Sequence, residues 1–309
     1  MMKVIFMGTP DFAVPTLERI AEDGHDVKLV ITQQDKKRGR GKKLQFTPVK
    51  EKAAELGIDV YQPENVNSEE SIEKIREADP DVIVVVAYGQ IMKKDILDMP
   101  KYGCLNVHAS LLPKYRGAAP INWVIINGEK KSGNTIMRMN EGLDTGNMIS
   151  KSEIEIGRDM NAGELHDILM ADGAELLSET LKNLEKENIE GEVQDDSLSC
   201  YAPMMDKSLG RIDWEKSNED IFNLIRGTQP WPGSFFDYNG ETVKVKKAEV
   251  SDKKSDKEPG TIISVDNSGI AVAAGEGVIV LKEIQFPGKR AMSVEDYLRG
   301  NEIEKTVLR

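Results

Sequence analysis

From residue 3 to about residue 145, short β-branched runs alternate with amphipathic helical segments, and this alternation leaves few folds open. The runs are KVIFM, DVKLVIT, DVIVVVA, CLNVHA and NTIMRM, separated by helical patterns such as Pro15–Glu22, Pro48–Leu56 and Glu69–Glu77. Apolar runs without alternation are buried on both faces, as in parallel strands joined by crossover helices. The expected fold class is therefore α/β, with a Rossmann-like parallel sheet. Such sheets bind ligands outside the carboxyl ends of their strands. That edge is expected to hold Gly8, Tyr88–Gly89, Asn106–Ser110 and Asn140–Asp144.

The pattern then changes. A long helical stretch from Asn161 to about Glu187 is followed by a polar segment, Asn188 to Cys200, without periodicity, which reads as a connector. After one more helical segment (Asn218–Arg226) come GSFFDY, ETVKVKKAEV, GTIISVD, GIAVAAG and GVIVLKEIQF, with turn residues between them. Short strands with such turns predict a small antiparallel β-barrel of OB-like type. A chain of 309 residues has room for two domains. The expected division is a first domain over 1–188, a linker over 189–205 and a second domain over 206–309.

Several function classes drop out. Cys104 and Cys200 are the only cysteines, too few for a disulfide framework, and they fit a reducing cytoplasm. The run VIVVVA at 82–87 is far shorter than the roughly 20 residues that span a bilayer, and MMKVIFMGTPDF has too short an apolar stretch for a signal-peptide core. No membrane association is expected. The turn FMGTPDFAVP follows a strand and opens a helix, but a dinucleotide fingerprint needs three glycines and this turn has only Gly8. His25, His108 and His166 lie on separate elements with no ligand-spaced Cys or carboxylate, so no metal is expected.

The net charge of −12 argues against a nucleic-acid partner. Its distribution argues the other way: six of the eight residues in KKRGRGKK, Lys36 to Lys43, are basic. One concentrated cationic loop on an acidic body is either an anion-binding device or a solvated loop.

The strongest chemical signal is LNVHASLLPKYRGAAPINW, from Leu105 to Trp123. Asn106 and His108 are two apart on a strand, so their side chains project to the same side. An imidazole exchanges protons near neutrality, and a carboxamide donates to a developing oxyanion without changing charge. A second polar site, NEGLDTGNMI at 140–149, places Asp144 in a glycine-flanked turn after another strand. Asn, His and Asp converging on one crevice would suit acyl transfer; a lone satisfied histidine is the alternative.

NVHASLLPKYRGAAPINW, with EGLDTG following about 36 residues later, resembles the 10-formyltetrahydrofolate-dependent formyltransferases. The resemblance implies that Asn106, His108 and Asp144 form the catalytic set. It implies that Ser110, Leu111, Leu112 and Pro113 line the folate site. It further implies that the backbone around Val86, Tyr88, Gly89 and Gln90 holds the pterin. Together with MGTPDFAVPTL, GRGKKLQFTPVK and QPWPGSFF, it extends over the whole chain, to the branch whose acceptor is initiator methionyl-tRNA. The implied partners are that tRNA and the folate donor, 10-formyltetrahydrofolate, with no metal and with the enzyme acting as a monomer. Lys36, Lys37, Arg38, Arg40, Lys42 and Lys43 are then the expected tRNA contacts. A sugar-nucleotide N-formyltransferase is the alternative, against which the cationic loop is excessive for one nucleotide sugar. A purine-pathway formyltransferase would leave the last hundred residues without work. A non-catalytic tRNA-binding module would not need Asn106, His108 and Asp144 together.

Overall fold

The computed structural model describes residues 1–38, 43–184, 186 and 191–308. They form two compact units that interleave along the chain: 1–117, 132–154 and 166–201 in one, and 118–131, 155–165 and 202–309 in the other.

The first unit is built on a seven-stranded sheet. Its strands are β1 (Lys3–Gly8), β2 (Asp26–Ile31), β5 (Val60–Tyr61), β6 (Val82–Val86), β7 (Cys104–His108), β8 (Thr135–Arg138) and β9 (Asn147–Lys151), in the order β9-β8-β7-β6-β1-β2-β5. A two-stranded hairpin, β3 (Lys36–Arg38) with β4 (Lys43–Gln45), lies between β2 and β5 in sequence. The runs expected to be continuous and buried are so: all five residues of β6 and five of six in β1 are shielded from solvent. Helices Val14–Glu22, Pro48–Glu55 and Glu69–Glu77 fall where the periodicity puts them. Thr47 and Ser68 cap the second and third, accepting the backbone N–H of Lys50 and Ser71 at 3.1 and 3.2 Å.

β1, β2, β5, β6 and β7 are parallel, but β8 runs antiparallel to β7 and β9 antiparallel to β8. Thr135 lies opposite His108 and Arg138 opposite Leu105. The carboxyl end of β8 therefore emerges beside the amino end of β7. This corrects the expectation that Asn140–Asp144 leave the sheet at the edge of Asn106–Ser110 by a strand end of the same sense. The cause is the connection: a parallel return needs a crossover helix on the sheet face. The only regular helix between β7 and β8, Pro120–Ile126, belongs to the second unit and packs on helix Asn218–Gly227 there.

The second unit carries an antiparallel sheet in the order 234–238, 241–251, 278–285, 269–273, 262–266. Helix Asn218–Gly227 contributes Ile221, Phe222 and Ile225 to a core completed by Trp214, Phe236, Val243, Val245, Ile279 and Leu281. Among the described residues no helix is long and apolar enough to cross a membrane.

Candidate active site

β7 is locked between two neighbours, with Asn106 opposite Val85 of β6 on one side and Met137 of β8 on the other. Its side-chain pair is thus held by ladder hydrogen bonds rather than by a mobile loop. Asn106 is half-buried and His108 is buried. After His108 the chain turns tightly. Ser110 donates its backbone N–H to the His108 carbonyl at 2.9 Å and its hydroxyl to the Lys114 carbonyl at 2.7 Å. The Thr135 hydroxyl donates to the Ser110 carbonyl (2.7 Å) and accepts from the Leu112 N–H (3.1 Å). The turn includes a cis Leu112–Pro113 bond, and Tyr115 takes a left-handed φ of 60°.

This turn fixes the histidine tautomer. His108 Nε2 lies 2.9 Å from the Tyr115 carbonyl oxygen, which can only accept. Nε2 therefore carries a proton, and Nδ1 is the nitrogen left to exchange one. Nδ1 faces Asp144 Oδ2 at 3.7 Å, which is ion-pair range but longer than a hydrogen bond.

Asp144 arrives by the loop 140–146, which returns from the far end of β8. It adopts φ 52°, left-handed and uncommon for a residue with a Cβ. The same carboxylate oxygen, Oδ2, accepts the Gly117 N–H at 2.8 Å. Gly146 allows the loop to close, because a Cβ there would stand 1.8 Å from the Arg138 carbonyl oxygen. The loop is also held from a region the sequence presents as a mere connector. Gln194 Nε2 donates to the carbonyls of Asp144 and Gly146, both at 2.8 Å. Its Oε1 accepts from Arg116 Nε and Nη2 at 3.0 and 2.8 Å. Gln194 stands in no sequence pattern, and although Arg116 lies within the stretch from Leu105 to Trp123, nothing there announces a partner 78 residues away.

The residues expected to line a folate site divide by what they can offer. Val86, Tyr88 and Leu112 have buried side chains. Tyr88 lies within the apolar core beside Ile83, Val85 and Met92, and burial pushes its hydroxyl up to about 12. The Ser110 hydroxyl is spent inside its own turn. The Gln90 carboxamide is tied to another segment, accepting the Val66 N–H at 2.9 Å. What this stretch presents is main chain, at Ala87 (φ 46°) and Gly89 (φ 91°). Two apolar side chains outside the expected set are exposed in these loops: Ile91, next to Gln90, and Leu143, next to Asp144.

The cationic segment begins and ends as a hairpin, with Lys36 opposite Gln45, Lys37 opposite Leu44 and Arg38 opposite Lys43. Arg40 and Lys42 lie outside the described residues. The hairpin base is pinned at Asp35, which accepts from Lys50 Nζ at 2.5 Å and Gln62 Nε2 at 2.9 Å. Burial alone would raise the Asp35 carboxyl, but these hydrogen bonds and the Lys50 charge hold it below the usual carboxylate range. Leu44 and Phe46 are exposed beside it, and Lys50 Nζ sits 4.2 Å over the Phe46 ring. Cys104 is buried and Cys200 exposed, both as free thiols.

Comparison with known proteins places the chain in a family. The family model described as formyl transferase matches residues 2–181, and that of the formyl transferase C-terminal domain matches 204–302. A methionyl-tRNA formyltransferase of Clostridium novyi (strain NT) is 56% identical, with 98% of each chain covered. One of Clostridioides difficile (strain 630) is 54% identical over 98% of each chain. Among solved structures, an N-formyltransferase from Helicobacter canadensis, in complex with folinic acid and dTDP-3-aminofucose, superposes with a TM-score of 0.67 at 21% identity, covering 91% of this chain and 99% of that one. HypX from Aquifex aeolicus, in complex with tetrahydrofolic acid, does so with a TM-score of 0.60 at 16% identity, covering 97% of this chain and 47% of that one. At those identities the two structures establish the fold alone. Matched over its full length at more than half of its positions, the chain belongs to the methionyl-tRNA formyltransferase family.

Proposed function

We propose that this chain transfers the formyl group of 10-formyltetrahydrofolate to the α-amino group of methionine on initiator tRNA. The observation that carries the reading is the triad of Asn106, His108 and Asp144 in a chain at least 50% identical to methionyl-tRNA formyltransferases over almost all of both lengths. The donor supplies a formyl carbon on a nitrogen leaving group. The amine forms a bond to that carbon, negative charge collects on the formyl oxygen, and the bond to the donor nitrogen breaks as that nitrogen gains a proton.

Each residue then has a task set by its geometry. Asn106, held by strands on both sides, donates to the developing oxyanion without changing charge. His108 holds its exchangeable proton at Nδ1, because Nε2 is occupied by the Tyr115 carbonyl, and relays it from the incoming amine to the departing nitrogen. Asp144 orients the imidazole from 3.7 Å. The donor's flat, polar-edged pterin suits the exposed main chain near Ala87 and Gly89, with Ser110, Leu111, Leu112 and Pro113 shaping the pocket beside it.

The acceptor is discriminated by a direct competition. With labelled formyl donor and equal concentrations of charged initiator tRNA and an aminosugar nucleotide, label is expected on the tRNA at least about a hundredfold faster. Preferential labelling of the sugar would overturn the tRNA reading. The second unit beyond residue 205 is nearly balanced, with 16 Lys and Arg against 18 Asp and Glu, so the hairpin cations carry most of the local attraction for phosphate. Neutralising Lys36, Lys37, Lys42 and Lys43 together is expected to weaken tRNA binding. It should also flatten the dependence of log Kd on log salt by roughly 0.7 to 0.9 for each phosphate that is no longer neutralised. A filter-binding titration from low to physiological salt measures this slope. Retention of the full slope would reduce the hairpin to a solvated loop.

A further inference from the structure

Gly191 and Glu192 dock on the edge of the sheet. Glu192 exchanges both backbone hydrogen bonds with Met148 of β9 at 2.8 Å, and Gly191, at φ 82°, brings the main chain so close that a Cβ would stand 2.9 Å from the Met148 carbonyl oxygen. This docking delivers the Gln194 side chain, which is buried, into the base of the 140–146 loop. Both of its functional atoms are used there, with Nε2 shared between the carbonyls on either side of Thr145 and Oε1 taken by the Arg116 guanidinium.

We infer that Gln194 and Arg116 are positioning residues for the formyl transfer: they set the place of the Asp144 carboxylate and, through it, of the His108 ring. The hydrogen bonds close into a ring. Arg116 grips Gln194, Gln194 grips the Asp144 carbonyl, and the Asp144 carboxylate accepts the N–H of Gly117, the residue after Arg116. Main chain and side chain of Asp144 are thus held by the same hydrogen-bonded ring. A non-glycine residue in the left-handed region persists only where its surroundings over-determine it. Asp144 is such a residue, and the two amide donations from Gln194 fall on its own peptide and on one two residues further. Without them the turn is free to relax, and Oδ2 no longer approaches Nδ1 to 3.7 Å. Arg116 also reaches Asp196 at 2.8 Å, but that carboxylate is 82% exposed and adds little.

This inference rests on the catalytic reading of Asp144, and the test separates the two. Gln194→Glu keeps size and the Arg116 contact but removes both amide donors, leaving carboxylate oxygen against two carbonyls. It is expected to lower kcat at least about tenfold, with KM for both substrates within about twofold and a lower melting temperature that still leaves the protein folded in the assay, as misplacement by about 1 Å can cost up to 10²-fold. In an Asp144→Ala background the same substitution is expected to cost nothing further. If Gln194→Glu does not fold, Arg116→Lys, which keeps the charge but not the paired donation to Oε1, carries the same expectation. Normal turnover of the Gln194 variant beside an impaired Asp144→Ala overturns the positioning role alone. Equal loss with and without Asp144 also overturns it, since the effect would then be general to the fold. Normal turnover of Asp144→Ala itself overturns the catalytic reading of that residue, and the inference falls with it.

Discussion

His108→Ala is expected to lower formylation turnover by about 10²–10⁴-fold, the range for loss of a group that exchanges protons in the transition state. The structure sharpens this into a test that separates chemistry from folding. The ring does two things: Nε2 ties the turn by its bond to the Tyr115 carbonyl, and Nδ1 faces Asp144. His108→Gln puts an amide N–H near the place of Nε2 and so retains the tie, but it has no atom that titrates near neutrality. It is expected to melt like the wild type while losing as much turnover as the alanine variant. In His108→Ala the Tyr115 carbonyl loses the Nε2 donor, and the Ser110 hydroxyl 3.4 Å away is already given to Lys114, so this variant is expected to melt below the wild type. Steady-state kcat on charged initiator tRNA, with a thermal melt of each variant, decides the matter. Near-normal turnover in either variant would remove His108 from the chemistry.

The sheet was legible because its strands are buried on both faces. β6 and, after Lys3, β1 announce themselves as apolar runs, β2 ends in one and β7 carries one broken by its polar pair, and the helices between them show by period and caps. The polar pair on β7 was legible for the same reason that it works, since Asn106 and His108 are the places where such a run turns polar on one side. Strand direction was not legible. Whether β8 runs with or against β7 depends on where helix Pro120–Ile126 packs, and its partner helix, Asn218–Gly227, lies about a hundred residues on. Tyr88 is expected to offer its main chain, and its ring completes the core, a placement the sequence does not announce. Gln194 carries no local signal at all. A polar residue in an aperiodic stretch is the commonest thing on a protein surface, and only its burial against the 140–146 loop distinguishes it. Gly146 is the exception, a glycine whose reason is steric: a Cβ there would stand 1.8 Å from the Arg138 carbonyl oxygen, while at Gly142 a Cβ would displace the Thr145 hydroxyl.

Asn106→Ala is expected to cost about 3 kcal/mol of transition-state stabilisation, roughly a hundredfold or more in kcat, with little change in affinity for the formyl donor. The distinction follows from when the charge appears. In the donor the formyl oxygen is a neutral amide oxygen, which a carboxamide and water serve almost equally well. When the amine has added, that oxygen is anionic, and a donor fixed in place stabilises it without having to reorganise. Asn106 is fixed in this sense, because its backbone is hydrogen-bonded into the sheet between β6 and β8 and its side chain is half-buried. Asn106→Asp separates donation from shape. It keeps the volume, but at neutral pH it places a carboxylate where the oxyanion forms, so its turnover is expected to fall below that of the alanine variant. Donor binding measured without acceptor, alongside single-turnover rates with charged tRNA, resolves the two effects. If Asn106→Ala weakened donor binding and left the single-turnover rate intact, the carboxamide would be a ground-state contact, and stabilisation of the oxyanion would fall to the main chain and His108 alone.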